Sequence, residues 1–255
     1  MSVIGIIPAR MASTRFPGKP LAKICGIPMI GHIYHRSRMA ESLDAVYVAT
    51  CDREIRDYVE SVEGNVVMTS DTHERATDRT AEAVQKIEGS RGEKTDTIVM
   101  IQGDEPLVTP RIIDALVSPM REDPKLPLAN LMGTIENDRE FEDPNVVKVV
   151  VNNDDYALYF SREPIPSMKK FEGEIPRYKQ FGIIAFHRPF LLKFNRMSPT
   201  VLEKIESVDM LRVLEHGYRV KMVYTDNKIC SVDTPEDLSY VESIMKNDEL
   251  FRQYH

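Results

Sequence analysis

Val3-Ile4-Gly5-Ile6-Ile7-Pro8-Ala9-Arg10-Met11-Ala12-Ser13-Thr14-Arg15-Phe16-Pro17-Gly18-Lys19-Pro20 is the stretch whose reading decides the fold. Residues 3–7 form a short, β-branched apolar run bounded by Pro8, which predicts a buried strand. A helix cannot follow. Pro8, Pro17 and Pro20 each bias the preceding residue away from the helical region, and Gly18 frees the backbone to turn. The strand therefore opens into an irregular loop that carries Arg10, Arg15 and Lys19 together with the hydroxyls of Ser13 and Thr14. Guanidinium forks, a point charge and loop amides suit a polyanion such as a triphosphate. A basic surface loop without a ligand has the same composition. The Gly-x4-Gly-Lys-Ser/Thr spacing is absent, so a P-loop mechanism is not supported.

Outward from that loop, the pattern alternates. Residues 28–39 read as a helix with Met29, Ile30, Ile33 and Tyr34 on one side, 45–50 as a strand, 54–61 as a short helix and 65–68 as a strand. Strand–helix–strand alternation predicts an α/β protein with a parallel sheet, helices on both faces and ligands at the carboxyl ends of the strands. Thr77 is expected to cap a helix running to about Ile87. The apolar run 98–101 ends in Gln102-Gly103-Asp104-Glu105-Pro106. A carboxylate just past a buried strand is placed to hold Mg²⁺, which takes one or two carboxylates plus phosphate oxygens, and Asp104 is the first choice. The competing role for Asp104 is a turn cap. Residues 146–151 and 156–160 flank Asn152-Asn153-Asp154-Asp155 and predict a hairpin. A strand at 178–186, a helix over 202–216 ended by Gly217, a strand at 218–224 and a helix over 235–246 complete the chain. Asp233 or Thr234 would cap the last helix in any protein.

The chain has 255 residues, enough for one large α/β domain, and its 42% hydrophobic content fits a globular core. A net charge of −7 argues against non-specific nucleic-acid binding while leaving room for a local basic loop. Cys25, Cys51 and Cys230 are odd in number and scattered, against a disulfide framework or structural zinc. That usage, with no signal-peptide pattern and no membrane-length apolar run, leads to the expectation of a cytoplasmic protein with no membrane contact.

Residues 7–21 closely resemble the N-terminal signature of the cytidylyltransferases that activate 3-deoxy-manno-octulosonate (Kdo): Ile-Pro-Ala-Arg-x-x-Ser-Thr/Ser-Arg-x-Pro-Gly-Lys-Pro-Leu. Three further strings match that family: Gln102-Gly103-Asp104-Glu105-Pro106, Ala157-Leu158-Tyr159-Phe160-Ser161-Arg162, and Val232-Asp233-Thr234-Pro235-Glu236-Asp237-Leu238. The resemblance spans almost the whole chain. It implies a Rossmann-like nucleotidyltransferase fold with a mostly parallel mixed sheet, and a single domain over 1–255. A sugar-binding and dimerisation lobe would be inserted at about 145–195. It implies transfer of CMP from CTP to the anomeric hydroxyl of Kdo or a related acidic ulosonic sugar, with Mg²⁺ on Asp104 and Asp233. The setting would be lipopolysaccharide or surface-polysaccharide synthesis in a cytoplasmic homodimer. Catalytic roles fall to Arg10, Lys19, Asp104 and Asp233. Nucleotide binding falls to Pro8, Ala9, Arg10, Ser13, Arg15, Lys19, His73, Thr77, Arg79 and Gln102. Sugar binding falls to Gln102, Arg162, Gln180, Glu203, Glu206 and Met210.

Some positions depart from the family pattern. The loop His-Gln-Ser-Gly-Thr-Asp/Glu-Arg is here His73-Glu74-Arg75-Ala76-Thr77-Asp78-Arg79, which loses a glycine and gains the charge of Arg75. Gln180 stands for a His, Ile184 and Phe186 for tyrosines, and Met210 for a Gln. Those apolar replacements leave a different acceptor open: 8-amino-Kdo, another acidic sugar or a phosphonate. A non-catalytic nucleotide-binding protein of the same fold is the alternative from another class. Retention of both candidate metal carboxylates and of the basic loop residues argues against it.

Overall fold

Val3, Ile7 and Ala9 on one side of the first strand, and Ile4 and Ile6 on the other, are all buried, and they enter two different apolar clusters. A strand that is apolar on both faces needs cover on both, and that requirement generates the three-layer architecture. The structure is a computed structural model of the chain, and it describes residues 1–12, 16–167, 169–170, 173, 175–227 and 229–255. The sequence-predicted Ser13, Thr14 and Arg15 lie outside the described residues.

The elements run β1 (Val3–Ala9), a short antiparallel pair β2 (Lys23–Ile24) and β3 (Ile27–Pro28), α1 (Met29–Arg38), β4 (Ala45–Thr50), α2 (Arg53–Ser61), β5 (Val66–Met68), α3 (Ala76–Arg91) and β6 (Thr97–Met100). They continue with α4 (Pro110–Glu122), β7 (Leu128–Thr134), α5 (Asp138–Glu142), β8 (Lys148–Val151), β9 (Ala157–Ser161) and β10 (Tyr178–His187). The last are α6 (Arg188–Phe194), α7 (Val201–Glu206), α8 (Asp209–Glu215), β11 (Lys221–Thr225) and α9 (Pro235–Met245). The main sheet has the order β11-β7-β10-β6-β1-β4-β5. Only β10 runs against its neighbours β6 and β7; the other adjacent pairs along that order are parallel. The β8–β9 hairpin joins the sheet through β10. One face is covered by α1, α2, α4 and α9, whose Ile33, Ile55, Leu116 and Val241 share a cluster. The other is covered by α3, α6 and α8, with Val84, Phe194 and Leu211 in a second cluster. The parallel strands therefore present their carboxyl ends along one edge, as the alternation predicts.

Several boundaries differ from the sequence reading. The expected helix over 202–216 is two helices, α7 and α8, broken where Ser207 takes a left-handed conformation at φ 53° and Val208 is extended. Apolar spacing carries across that break in the sequence, yet Val201 and Ile205 of α7 are exposed and only Leu202 packs against the second cluster. The helix α3 starts one residue before Thr77 and has Arg75 at its N-cap. The polar stretch 136–145 contains α5, whose Asn137 side chain caps it by accepting from Glu140 N. The helix α6 follows β10 directly, with Pro189 in its first turn, and had no separate sequence prediction.

Two glycines test the packing from opposite sides. A Cβ at Gly103 would sit 2.7 Å from the Pro8 carbonyl, pushing apart the ends of β6 and β1, whereas one at Gly89 in α3 would meet nothing within 4 Å. Gly103→Ala is expected to cost about 1–3 kcal/mol. Gly89→Ala is expected to stabilise by about 0.5–1 kcal/mol. Urea denaturation of both variants checks the pair.

Candidate active site

Gly18 adopts φ 75° and starts the short turn Lys19–Leu21, which turns Lys19 back under the end of β1. Its ammonium reaches Asp104 Oδ2 at 2.9 Å and Asp233 Oδ1 at 3.1 Å. Asp104 is placed by the end of β6. Asp233 is placed by the start of α9, where Thr234 is the N-cap and accepts from Asp237 N. Asp237 in turn accepts from the backbone N–H groups of Asp233 and Thr234. That capping box leaves the Asp233 side chain to face Lys19. Val232 N donates to Asp104 O at 2.9 Å, tying the two carboxylate-bearing segments together. Burial opposes charge on Lys19, but Asp104 and Asp233 outweigh it, and the ammonium's pKa is raised.

Above this cluster lies a cavity of about 330 Å³. Pro8, Ala9, Arg10, Lys19, Gln102, Asp104 and Asp233 line one part of it; His73, Arg79 and the segment between them line another. Arg79 is buried, donates to Ser70 O at 3.2 Å and to Thr69 Oγ1, and has an Nη2 with no hydrogen-bond partner among the described residues. That nitrogen is an unmet donor buried within the wall. His73 pairs through Nε2 with Glu82 Oε2. Burial would push the Glu82 carboxyl up, but Lys86, Ser70 N and His73 together pull it to about 2. Thr77 is buried and donates to Asp209 Oδ2 at 3.3 Å; it supports the wall without lining it.

The residues expected on the sugar side are dispersed. Arg162 donates through Nε to Glu206 O, through Nη1 to Pro144 O and through Nη2 to Ser207 O, so its guanidinium is directed to backbone carbonyls. Glu206 accepts from Ser161 Oγ and Arg162 N. Gln180 donates to Asn130 Oδ1 at 2.7 Å. Its strand passes Gln102 so closely that a Cβ at Gly182 would collide with that side chain. Met210 is fully buried in the core, as are Phe186 and nearly all of Ile184, so the apolar replacements noted in the sequence are core packing. Glu203 is also buried. It receives Arg212 through Nε at 2.7 Å and Nη2 at 2.5 Å, and it pairs with Arg75. Glu74, Arg75, Ala12 and Pro20 line the cavity without having been assigned a role from the sequence. Arg75 stood out there only as a departure from a motif.

A family model described as cytidylyltransferase matches residues 4–229. The chain belongs to the cytidylyltransferase family. Among curated members, the 3-deoxy-manno-octulosonate cytidylyltransferase of Geotalea uraniireducens is 44% identical over 256 residues, covering 96% of this chain and 100% of the relative. The enzyme of the same name from Syntrophotalea carbinolica is 42% identical over 254 residues, covering 96% and 99%. A solved structure of CMP:2-keto-3-deoxy-manno-octonic acid synthetase complexed with CTP superposes with a TM-score of 0.89 at 36% identity, covering 96% of this chain and 99% of that one. A cytidylyltransferase from Leptospira borgpetersenii, at 18% identity and a TM-score of 0.66, shares the fold.

The second wall of the cavity carries a pH signature. Burial would raise the Glu203 carboxyl, but Arg212, Arg75 and Thr200 N bring it down to about 2. An unfolded Glu takes up its proton near 4.5, so between about 4.5 and 2 the unfolded state binds more protons than the folded one. The contribution is present above 4.5 and is lost as pH falls toward 2. Thermal melts from pH 6 to 3 should show Tm falling in the parent protein. Glu203→Gln should start lower and fall less steeply.

Proposed function

We propose that the chain transfers CMP from CTP to the anomeric hydroxyl of 3-deoxy-manno-octulosonate, releasing pyrophosphate for lipopolysaccharide-type surface synthesis. The observation that carries this reading is the convergence of Lys19, Asp104 and Asp233 at one end of a cavity whose other wall is the His73–Arg79 segment. The hydroxyl oxygen attacks the α-phosphorus and a new P–O bond forms. The bond from the α-phosphorus to the bridging oxygen breaks, pyrophosphate leaves, and the hydroxyl proton is released.

Asp104 and Asp233 suit Mg²⁺. They are hard oxygen donors, and both carboxylates reach the same Lys19 ammonium, which puts them close enough together to share a cation. Bound there, Mg²⁺ would neutralise phosphate charge and fix the α-phosphate for in-line attack. Lys19 and Arg10 stabilise negative charge at the same end. Arg79 and Gln102 present donors to the nucleotide, and β1 carries Pro8 and Ala9 along its flank.

The reading includes a homodimer in the cytoplasm, supported by the family resemblance and by three free cysteines. Among the described residues no helix is long and apolar enough to cross a membrane. A net charge of −7 disfavours nucleic acid as a partner.

Pyrophosphate release with CTP, Mg²⁺ and Kdo tests the reading, with an amino-substituted ulosonate and sialic acid as comparison acceptors. Kdo is expected to be turned over best. Asp104→Asn should lower kcat by about 100-fold or more, and chelation of Mg²⁺ should stop turnover. Unchanged activity in Asp104→Asn would remove that carboxylate from the reaction.

A further inference from the structure

Asp52 stands at the N-cap of α2, where an aspartate ordinarily turns its carboxylate onto the first amides of its own helix. Here it makes no such bond. Its Oδ2 instead accepts from the N–H of Met11, 41 residues away, at 2.7 Å. The Cys51 thiol also points to that oxygen, at 3.6 Å, but a thiol is a weak donor. The N–H of Asp52 donates to Thr50 Oγ1 at 3.1 Å, which steadies the residue that makes the reach. The parallel pairing of β1 with β4 ends at Ala9 and Thr50. The Asp52 side chain thus extends the hold on the first segment past its last ladder position.

What it holds is the neck of the basic loop. The Met11 N–H belongs to the peptide that joins Arg10 to Met11, so its bond fixes the backbone plane beside a residue that lines the cavity. The Met11 carbonyl accepts from Gly18 N at 3.1 Å, which closes the loop. Gly18 then turns the chain, at φ 75°, into Lys19. Resting on the transferase reading above, we infer that Asp52 is a positioning residue for CTP binding. Its carboxylate forgoes the cap of α2 to lock the Arg10–Met11 peptide, and through Met11 and Gly18 it sets Arg10 and Lys19 for the phosphates. A carboxylate bonded to a backbone amide makes a charge-assisted, strong contact. A loop fixed in advance loses less freedom when the nucleotide arrives. Asp52 is not among the residues lining the cavity, so it acts through the loop and not on the ligand.

Two substitutions separate this role from support of α2. Asp52→Ser keeps an N-cap oxygen, but its reach toward Met11 is one bond shorter; Asp52→Asn keeps an acceptor at the full reach. In Asp52→Ser the KM for CTP should rise by about tenfold, the scale of one hydrogen bond to a charged group, while the KM for the acceptor moves by less than about twofold. Asp52→Asn should hold the KM for CTP within about threefold of the parent's. A KM for CTP in Asp52→Ser equal to the parent's overturns the assignment. So does an equal rise in both KM values, or an Asp52→Asn that behaves like Asp52→Ser. Should Asp52→Ser not fold, Asp52→Glu displaces the carboxylate by one methylene and takes its place. A raised KM for CTP with that for the acceptor unmoved then supports the assignment, and an unchanged KM for CTP overturns it. Failure of the parent itself to release pyrophosphate with CTP and any acid refutes the transferase reading, a separate outcome.

Discussion

The ammonium of Lys19 between Asp104 and Asp233 is the interaction on which the site depends. The two carboxylates come from positions 85 and 214 residues away from it. Side by side without a cation they would repel, and the ends of β6 and α9 could not approach each other in a low-dielectric cleft. Everything around the cluster serves that convergence. Gly103 lets β6 run against the Pro8 carbonyl, Gly18 turns the loop, and the Thr234–Asp237 box frees Asp233 from capping its own helix. The charges that stabilise the folded site are the charges that phosphate chemistry uses, so stability and function are tied to the same three side chains.

Opposite that cluster, a different set of buried charges makes the wall firm. Arg75 and Arg212 share Glu203, while Thr77 and Arg75 reach Asp209, so the start of α3 is bonded to both α7 and α8. Behind it, Lys148 donates to the carbonyls of Asp143, Val146 and Arg162. Arg162 then donates to Pro144, Glu206 and Ser207. Two cations thereby satisfy six backbone carbonyls where the chain leaves regular structure, at the hairpin and at the α7–α8 break. The demand for satisfied backbone explains why an arginine that sequence similarity assigns to a ligand faces the protein instead.

What the sequence made legible was local. β1, β4, β6 and the helices between them follow from short apolar runs and proline punctuation, and the carboxylates follow from their place just beyond buried strands. The residues that proved hard to place are those whose role is set by partners far along the chain. Arg75 meets Glu203 across 128 positions, and Thr77 meets Asp209 across 132. No spacing or period encodes such pairs. The α7–α8 break was hidden because an apolar stripe continues through Ser207, and the six-residue α7 is too short for its own periodicity to show. Met210 looked like a substituted ligand because only the family motif, and no packing, was visible in one dimension.

That last point changes where specificity should be sought. A substitution in a motif alters recognition only if the side chain reaches the ligand. Met210, Ile184 and Phe186 fill the layer beneath the sheet, and their apolar character is what that layer requires. The departures that do reach the cavity are Glu74, Arg75 and Ala76, and Arg75 is held there by Glu203 and Asp209. Buried positions tolerate change that preserves volume and polarity. A cavity-lining charge cannot drift so freely, because adding one in a partly dry cleft needs counter-charges built to receive it. Glu203 and Asp209 are those counter-charges. The departures in the 73–79 loop, and not the buried ones, are therefore those that border the cavity.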